Sequence, residues 1–172
     1  MAIITTYTQP EEILCDIFRK QMNLATDQVD PNFGNINPQD MRLYITVSMI
    51  DSKEIGGEVV HSVVGGNLQE SIKSNISGMF SVNIFSFTNE AIQRRYEPLL
   101  ALKSNYARQI MDVYRIRIPE YSLSFVQNNE PAGDSISILN RYTATIRVNY
   151  SYNSIENIDY YNTINSTLII EN

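Results

Sequence analysis

Few residues in this chain could do chemistry, and their spacing limits what that chemistry would be. His61 is the only histidine, which removes every triad that needs a second imidazole and most metal sites, leaving at best a lone acid or base. A solvated loop histidine is the simpler reading. Cys15 is the only cysteine, so no internal disulfide can form. It stands beside Leu14 on an apolar helical stripe with no basic neighbour to lower its pKa, as a buried inert thiol does rather than a nucleophile. Asp51, Glu54 and Glu58 could hold a hard cation, but their spacing is not that of an EF-hand loop, and acids in a glycine-containing loop serve solubility. Gly56-Gly57 and Gly65-Gly66 are not followed by Lys-Ser/Thr and do not form G-x-G-x-x-G, so they read as hinges rather than phosphate cradles. The expectation is a non-enzymatic chain with no catalytic, cofactor-binding or metal-binding residues and no cofactor.

The remaining candidates are surfaces. Arg94 and Arg95 beside Glu97, with Arg115 and Arg117 near the end of the same helical segment, would either meet acids on a neighbouring subunit or sit solvated as dipole-favouring charges. Phe85 and Phe87 share a strand face with Ser81 rather than Ile84, so the strand either bulges there or exposes two aromatic rings, and exposed rings suit a partner. These six residues are the candidate subunit interface. Asn75-Ile76-Ser77, Asn149-Tyr150-Ser151 and Asn165-Ser166-Thr167 match the glycosylation triplet by chance in a chain rich in Asn and Ser.

The elements that position these residues belong to a chain of 172 residues, 43% hydrophobic and 19% charged, within the size and composition of one globular domain. A net charge of −6, with thirteen Lys and Arg spread along the whole length, argues against a grip on nucleic acid, which needs clustered cations. Residues 1–7 lack the basic start and apolar run of a signal peptide, and no stretch approaches the ~18 apolar residues of a membrane helix. Cytosolic folding without a membrane is the expectation.

Thr8-Gln9-Pro10-Glu11 has capping-box form. Ile13, Leu14, Ile17, Phe18 and Met22 then recur at helical spacing, which predicts an amphipathic helix over residues 9–23. Residues 25–40 carry Pro31, Pro38 and several Asn and Gly, the composition of a long loop. Residues 42–50 alternate as a half-buried strand. Residues 51–66, bracketed by glycine pairs, allow an arm or an extra hairpin, with a projecting loop as the reading taken. Leu68 to Ile76 and Phe80 to Ile84 read as a hairpin turning at Ser77-Gly78. Ile92, Tyr96, Leu99, Lys103, Tyr106, Ile110 and Val113 follow a helical stripe, which Pro98 should kink or divide near residues 95–97. Tyr121 to Phe125 predicts a short strand, Asn128 to Asp134 a turn, and Ile136 to Tyr150 a long strand with one apolar face. Asn153 to Asn157 reads as a loop and Ile164 to Ile170 as a last strand. The fold class is α+β: an antiparallel or mixed sheet packed against two main amphipathic helices, with loop arms near 25–40 and 51–66.

One order of elements carries a resemblance. The strand Phe80 to Phe87, the polar cap Thr88-Asn89-Glu90, the Ala91-led helix to Tyr114, a short strand, a turn, and a long strand with Arg141 near its start resemble the phage neck and tail terminator protein family over roughly residues 40–165. That resemblance implies a virion protein of the tail or neck, assembled in the host cytoplasm. It would be a homohexameric ring subunit that caps the tail tube and docks to the head connector or stopper protein, with the tail sheath as a further contact. The alternatives left open are another head-tail joining ring, of stopper or completion type, and a small-ligand-binding α+β module.

Overall fold

The computed structural model describes residues 4–6, 9–31, 40–64, 67–119, 125–131 and 138–158. The predicted last strand, Ile164 to Ile170, and most of the short strand begun at Tyr121 lie outside them.

The helix α1 (Pro10–Met22) begins one residue later than the capping box implies. Gln9 is extended and its carbonyl receives the amides of Glu12 and Ile13 at 3.1 and 3.4 Å, while Pro10 fills the first position, where no amide bond is lost. Thr8 lies outside the described residues. Glu11 and Glu12 in the first turn and Arg19 and Lys20 in the last agree with the helix dipole. The helix stops on Asn23, which adopts the left-handed conformation (φ 53°) that Asn tolerates, and Leu24 N–H donates back to Arg19 O.

Three long strands make the frame: β3 (Tyr44–Val64), β4 (Asn67–Ser86) and β6 (Ile138–Ile158). Short strands complete a six-stranded mixed sheet: β1 (Ile4–Thr6), β2 (Val29–Pro31) and β5 (Phe125–Pro131). The order runs β1-β6-β4-β3-β2, with β5 also on β6, and only the β2–β3 pair is parallel. Several sequence expectations change here. Residues 26–31 hold a short 3-10 turn (Thr26–Gln28) and β2 rather than loop alone. Arg19 Nη2 donates to Val29 O at 2.8 Å and Gln28 Nε2 to Leu43 O at 2.8 Å, fixing that segment between α1 and the sheet edge.

Residues 51–64 are strand, not loop, and 153–157 are strand as well, held by β4 on one side and by β1, across 153–155, on the other. Asn128 to Pro131 belong to β5 rather than to a turn. Ser77-Gly78 is no turn either: β4 runs through it in one phase, so Ile72, Ile76, Phe80, Val82 and Ile84 share a face.

The core lies between this face and the helices. Leu14, Cys15, Ile17 and Phe18 of α1 pack over Ile45, Val47, Phe80, Val82 and Ile84, and β6 adds Tyr142, Ala144, Ile146, Val148 and Tyr150. The second helical segment divides at Arg95-Tyr96 as Pro98 requires, and again at Lys103-Ser104, giving α2 (Glu90–Arg94), α3 (Glu97–Leu102) and α4 (Asn105–Val113). Ser104 caps α4 by accepting from Ala107 N–H. Each break resets the helical phase. The buried residues are therefore Ala91, Pro98, Ala101, Leu102 and Ala107, with Ile92, Tyr106 and Ile110 of the predicted stripe packed against them at the core's margin and Val113, also on that stripe, 72% exposed. In place of the second main helix expected, the chain has three short ones.

Candidate functional site

Past Ile76 and Tyr152, which still pack against the core, β3, β4 and the end of β6 continue as an arm of three long strands, with β1 along β6 at 153–155. Every residue of β3 from Met49 to Val64 is exposed. At about 3.3 Å per residue, Asp51 to Val64 reaches roughly 40 Å. The core-facing side of the sheet runs on into the arm through Val59, Val63, Leu68, Ile72 and Ile76, because cross-strand partners share a face. Val63 is 65% exposed and Ile50, at the root, 57%. The other side of β4 and β6 carries Lys73, Asn75, Ser77, Asn149 and Ser151.

The outer edge of β3 is open too. The strand β2 pairs with it only at Ile45–Val47, and among the described residues no strand pairs with that edge beyond Val47. Two bulges, at Met49/Asp51 and Glu54/Gly56, and the charges of Asp51, Lys53, Glu54 and Glu58 interrupt it, the usual means by which an edge discourages indiscriminate pairing.

Where the arm leaves the body, a cleft of about 570 Å³ opens between the sheet and the end of α4, and Lys73, Arg115 and Arg117 are among the residues that line it. Its apolar lining includes Ile76, Met111, Ile116 and Tyr150. Arg117 is placed by a two-way backbone pairing with Asn149, at 2.8 and 2.7 Å. Arg115 ends α4 in the left-handed conformation (φ 55°), with Ile116 N–H donating back to Met111 O at 2.8 Å. Glycine is the residue such a helix end prefers. Arg115→Gly is therefore expected to stabilise the fold by about 0.5–1 kcal/mol, read as a higher denaturant midpoint with unchanged slope; an unchanged or lower midpoint would show that the arginine side chain contributes more than its backbone strain costs.

The structure thus brings Arg115 and Arg117 together and separates them from the other four candidates. Phe85 corrects the expectation of an exposed pair: β4 is in unbroken register there, and the ring is buried, stacked on Tyr44 at 5.8 Å and 17°. Phe87 is half-buried. Arg94 is engaged within the chain, by Glu90, by Glu97 and by Met22 O at 2.8 Å, so it ties α2 to the end of α1. Arg95 lies over the rings of Tyr96 and Tyr142, 4.9 and 5.7 Å from their centres.

The chemical candidates sit elsewhere. His61 is on the arm, 3.3 Å from Glu70. Glu54 accepts from Ser74 across the ladder. Cys15 has no exposure and burial pushes its thiol up to about 12, so alkylation by iodoacetamide at pH 8 is expected to be orders of magnitude slower in the native chain than in denaturant. Native-state labelling at the denatured rate would mean that α1 opens readily. Among the described residues no three His, Cys, Asp or Glu side chains converge where a metal ion could sit.

Sequence reasoning missed the arm's apolar face and Lys73. Val59, Val60, Val63 and Val64 were the available signal, since so many β-branched residues favour strand over loop. No protein-family model matches the sequence, and no curated protein does. Fold and surface therefore define the class: an α+β fold carrying an arm of three long strands, with an apolar face exposed and the β3 edge open among the described residues.

Proposed function

We propose that this chain is a structural, non-enzymatic virion protein of the phage neck and tail terminator kind, a subunit that joins copies of itself in a hexameric ring, caps the tail tube and meets the head connector. One observation carries the self-assembly part of this reading: the arm extends the core face of the sheet past the helices and leaves it bare. A monomer has no use for about half a dozen large apolar side chains on a projecting sheet, whereas a subunit interface does.

Magnitudes favour a closed assembly over an isolated pair. Full burial of one such side chain is worth about 1.5–3 kcal/mol. Five that are already half covered yield roughly half of that each, on the order of 4–8 kcal/mol, against about 4–15 kcal/mol of association cost. One contact of this kind is weak, and closing a ring gives each subunit two. The phage assignment itself rests on the order of elements from Phe80 to Tyr150.

Light scattering on the purified chain, alone and with purified tail tubes, tests the proposal. A hexamer, or a monomer that assembles on tubes, is the expected result. A chain that stays monomeric in both settings would leave the ligand-binding module as the better reading.

A further inference from the structure

We infer that the cleft at the root of the arm is the docking site for the arm tip of another copy of this chain, an inference that rests on the self-assembly proposed above and adds the contact that drives it. The first argument is charge. Lys73, Arg115 and Arg117 line the cleft, and none of them closes an ion pair among the described residues. Asp112 is the acid in the lining, and Glu58 stands opposite Lys73 in the ladder. The negative end of α4 is muted, because the carbonyls of Ile110, Met111 and Asp112 already accept bonds from Tyr114, Ile116 and Arg115. The cleft is a cationic place on a chain whose net charge is −6.

The second argument is the kind of anion that fits. Three cations gathered at one point do not track a phosphate backbone. The apolar lining suits side chains rather than a small inorganic ion. The occupant is therefore an acidic, apolar stretch of polypeptide.

The arm tip has that composition. Its core-side face joins Val59, Val63, Leu68 and Ile72 to Glu70 and Glu156, in one register across three strands. A chain cannot fill its own cleft this way: Leu68 lies eight residues along β4 from Ile76, roughly 25 Å away on a continuous ladder. The tip of one copy meets the cleft of the next, a head-to-tail contact that closes into a ring when the rotation permits.

Charge reversal in the full-length chain tests this. Arg115→Glu with Arg117→Glu reverses the cleft; Glu70→Lys with Glu156→Lys reverses the tip. Thermal melts confirm that each variant folds, and Arg117→Gln alone serves as a milder cleft variant. Each reversed chain by itself is expected to lose at least tenfold in self-association by light scattering. An equal mixture of the two is expected to recover it, because a positive tip then meets a negative cleft and a negative tip a positive one. Wild-type association should also weaken as salt is raised. Undiminished assembly of the cleft variant, or failure of the mixture to recover, would overturn the tip-to-cleft contact and leave the ring proposal standing. A wild-type chain that is monomeric at every concentration and on tail tubes would overturn both.

Discussion

Replacing Val59 to Ile72 by Asn-Gly is expected to abolish self-association while the body of the protein still folds. The substitution suits the register: Glu58 and Lys73 are paired residues, and Asn-Gly is the two-residue turn that closes an antiparallel pair with the correct twist. The shortened hairpin keeps Lys73 and the whole cleft, so only the tip is lost. No core residue lies in the deleted stretch. The neighbouring strand β6 still has β1 across 153–155 to hold it. The stability of the body should therefore change by no more than about 1 kcal/mol, a shift of ~2–4 °C in Tm for a chain of this size. Association should fall by at least two orders of magnitude, because the variant loses the apolar face of β3 and β4 and Glu70 together, leaving Glu156 on β6. Assembly that survives the shortening, on a chain with an intact melt, would place the interface somewhere other than the arm.

That the arm is a strand rather than a loop was hard to read, for a physical reason. Each β-bulge inserts a residue and reverses the alternation that follows. With bulges at Met49/Asp51 and at Glu54/Gly56, the period-2 pattern of residues 42–50 loses its phase twice within a few residues, and a paired glycine follows. The composition of the segment was informative where its periodicity was not. Elsewhere the periodicity sufficed. The stripe of α1 and the core face of β6 from Tyr142 to Tyr150 fell where the sequence placed them, because neither element contains an irregularity.

The broken helix lies between these cases. Pro98 announced the first division, but Ser104 could not be told from any other serine until Ala107 N–H was seen donating to it. The stripe read through both breaks therefore mixed residues that pack against the core, Ile92, Tyr106 and Ile110, with exposed ones such as Tyr96 and Val113. For the candidate site, Arg115 and Arg117 were legible as unspent cations, whereas Lys73 was not: it comes from a distant strand, and only the β4–β6 pairing carries it to the same cleft. A contact made across a sheet leaves no local mark in the sequence.

Gly78 was misread as a turn, and the reason it is glycine yields the second large effect. It lies buried inside β4, opposite Ser52 and Val148. A Cβ there would stand 2.7 Å from Phe80 Cε2 and 3.1 Å from Tyr150 Cε1. The two rings lie 6.4 Å apart, at 59° to one another, and Phe80 is fully buried, so it has little room to withdraw. They occupy the space a side chain would take. Ordinary strand preference gives valine an advantage of about 1 kcal/mol over glycine at an open position. Overpacking a closed core costs about 1–3 kcal/mol, and a β-branched residue against two rings belongs at the upper end. Gly78→Val is therefore expected to destabilise by roughly 2 kcal/mol net, lowering Tm by ~4–8 °C. Adding Phe80→Leu should relieve the clash, so the double variant is expected to be more stable than the sum of the single changes by at least about 1 kcal/mol. Additive costs, or a Gly78→Val chain as stable as wild type, would mean that the rings do not close over this glycine and that the turn-like reading of Ser77-Gly78 was nearer the truth.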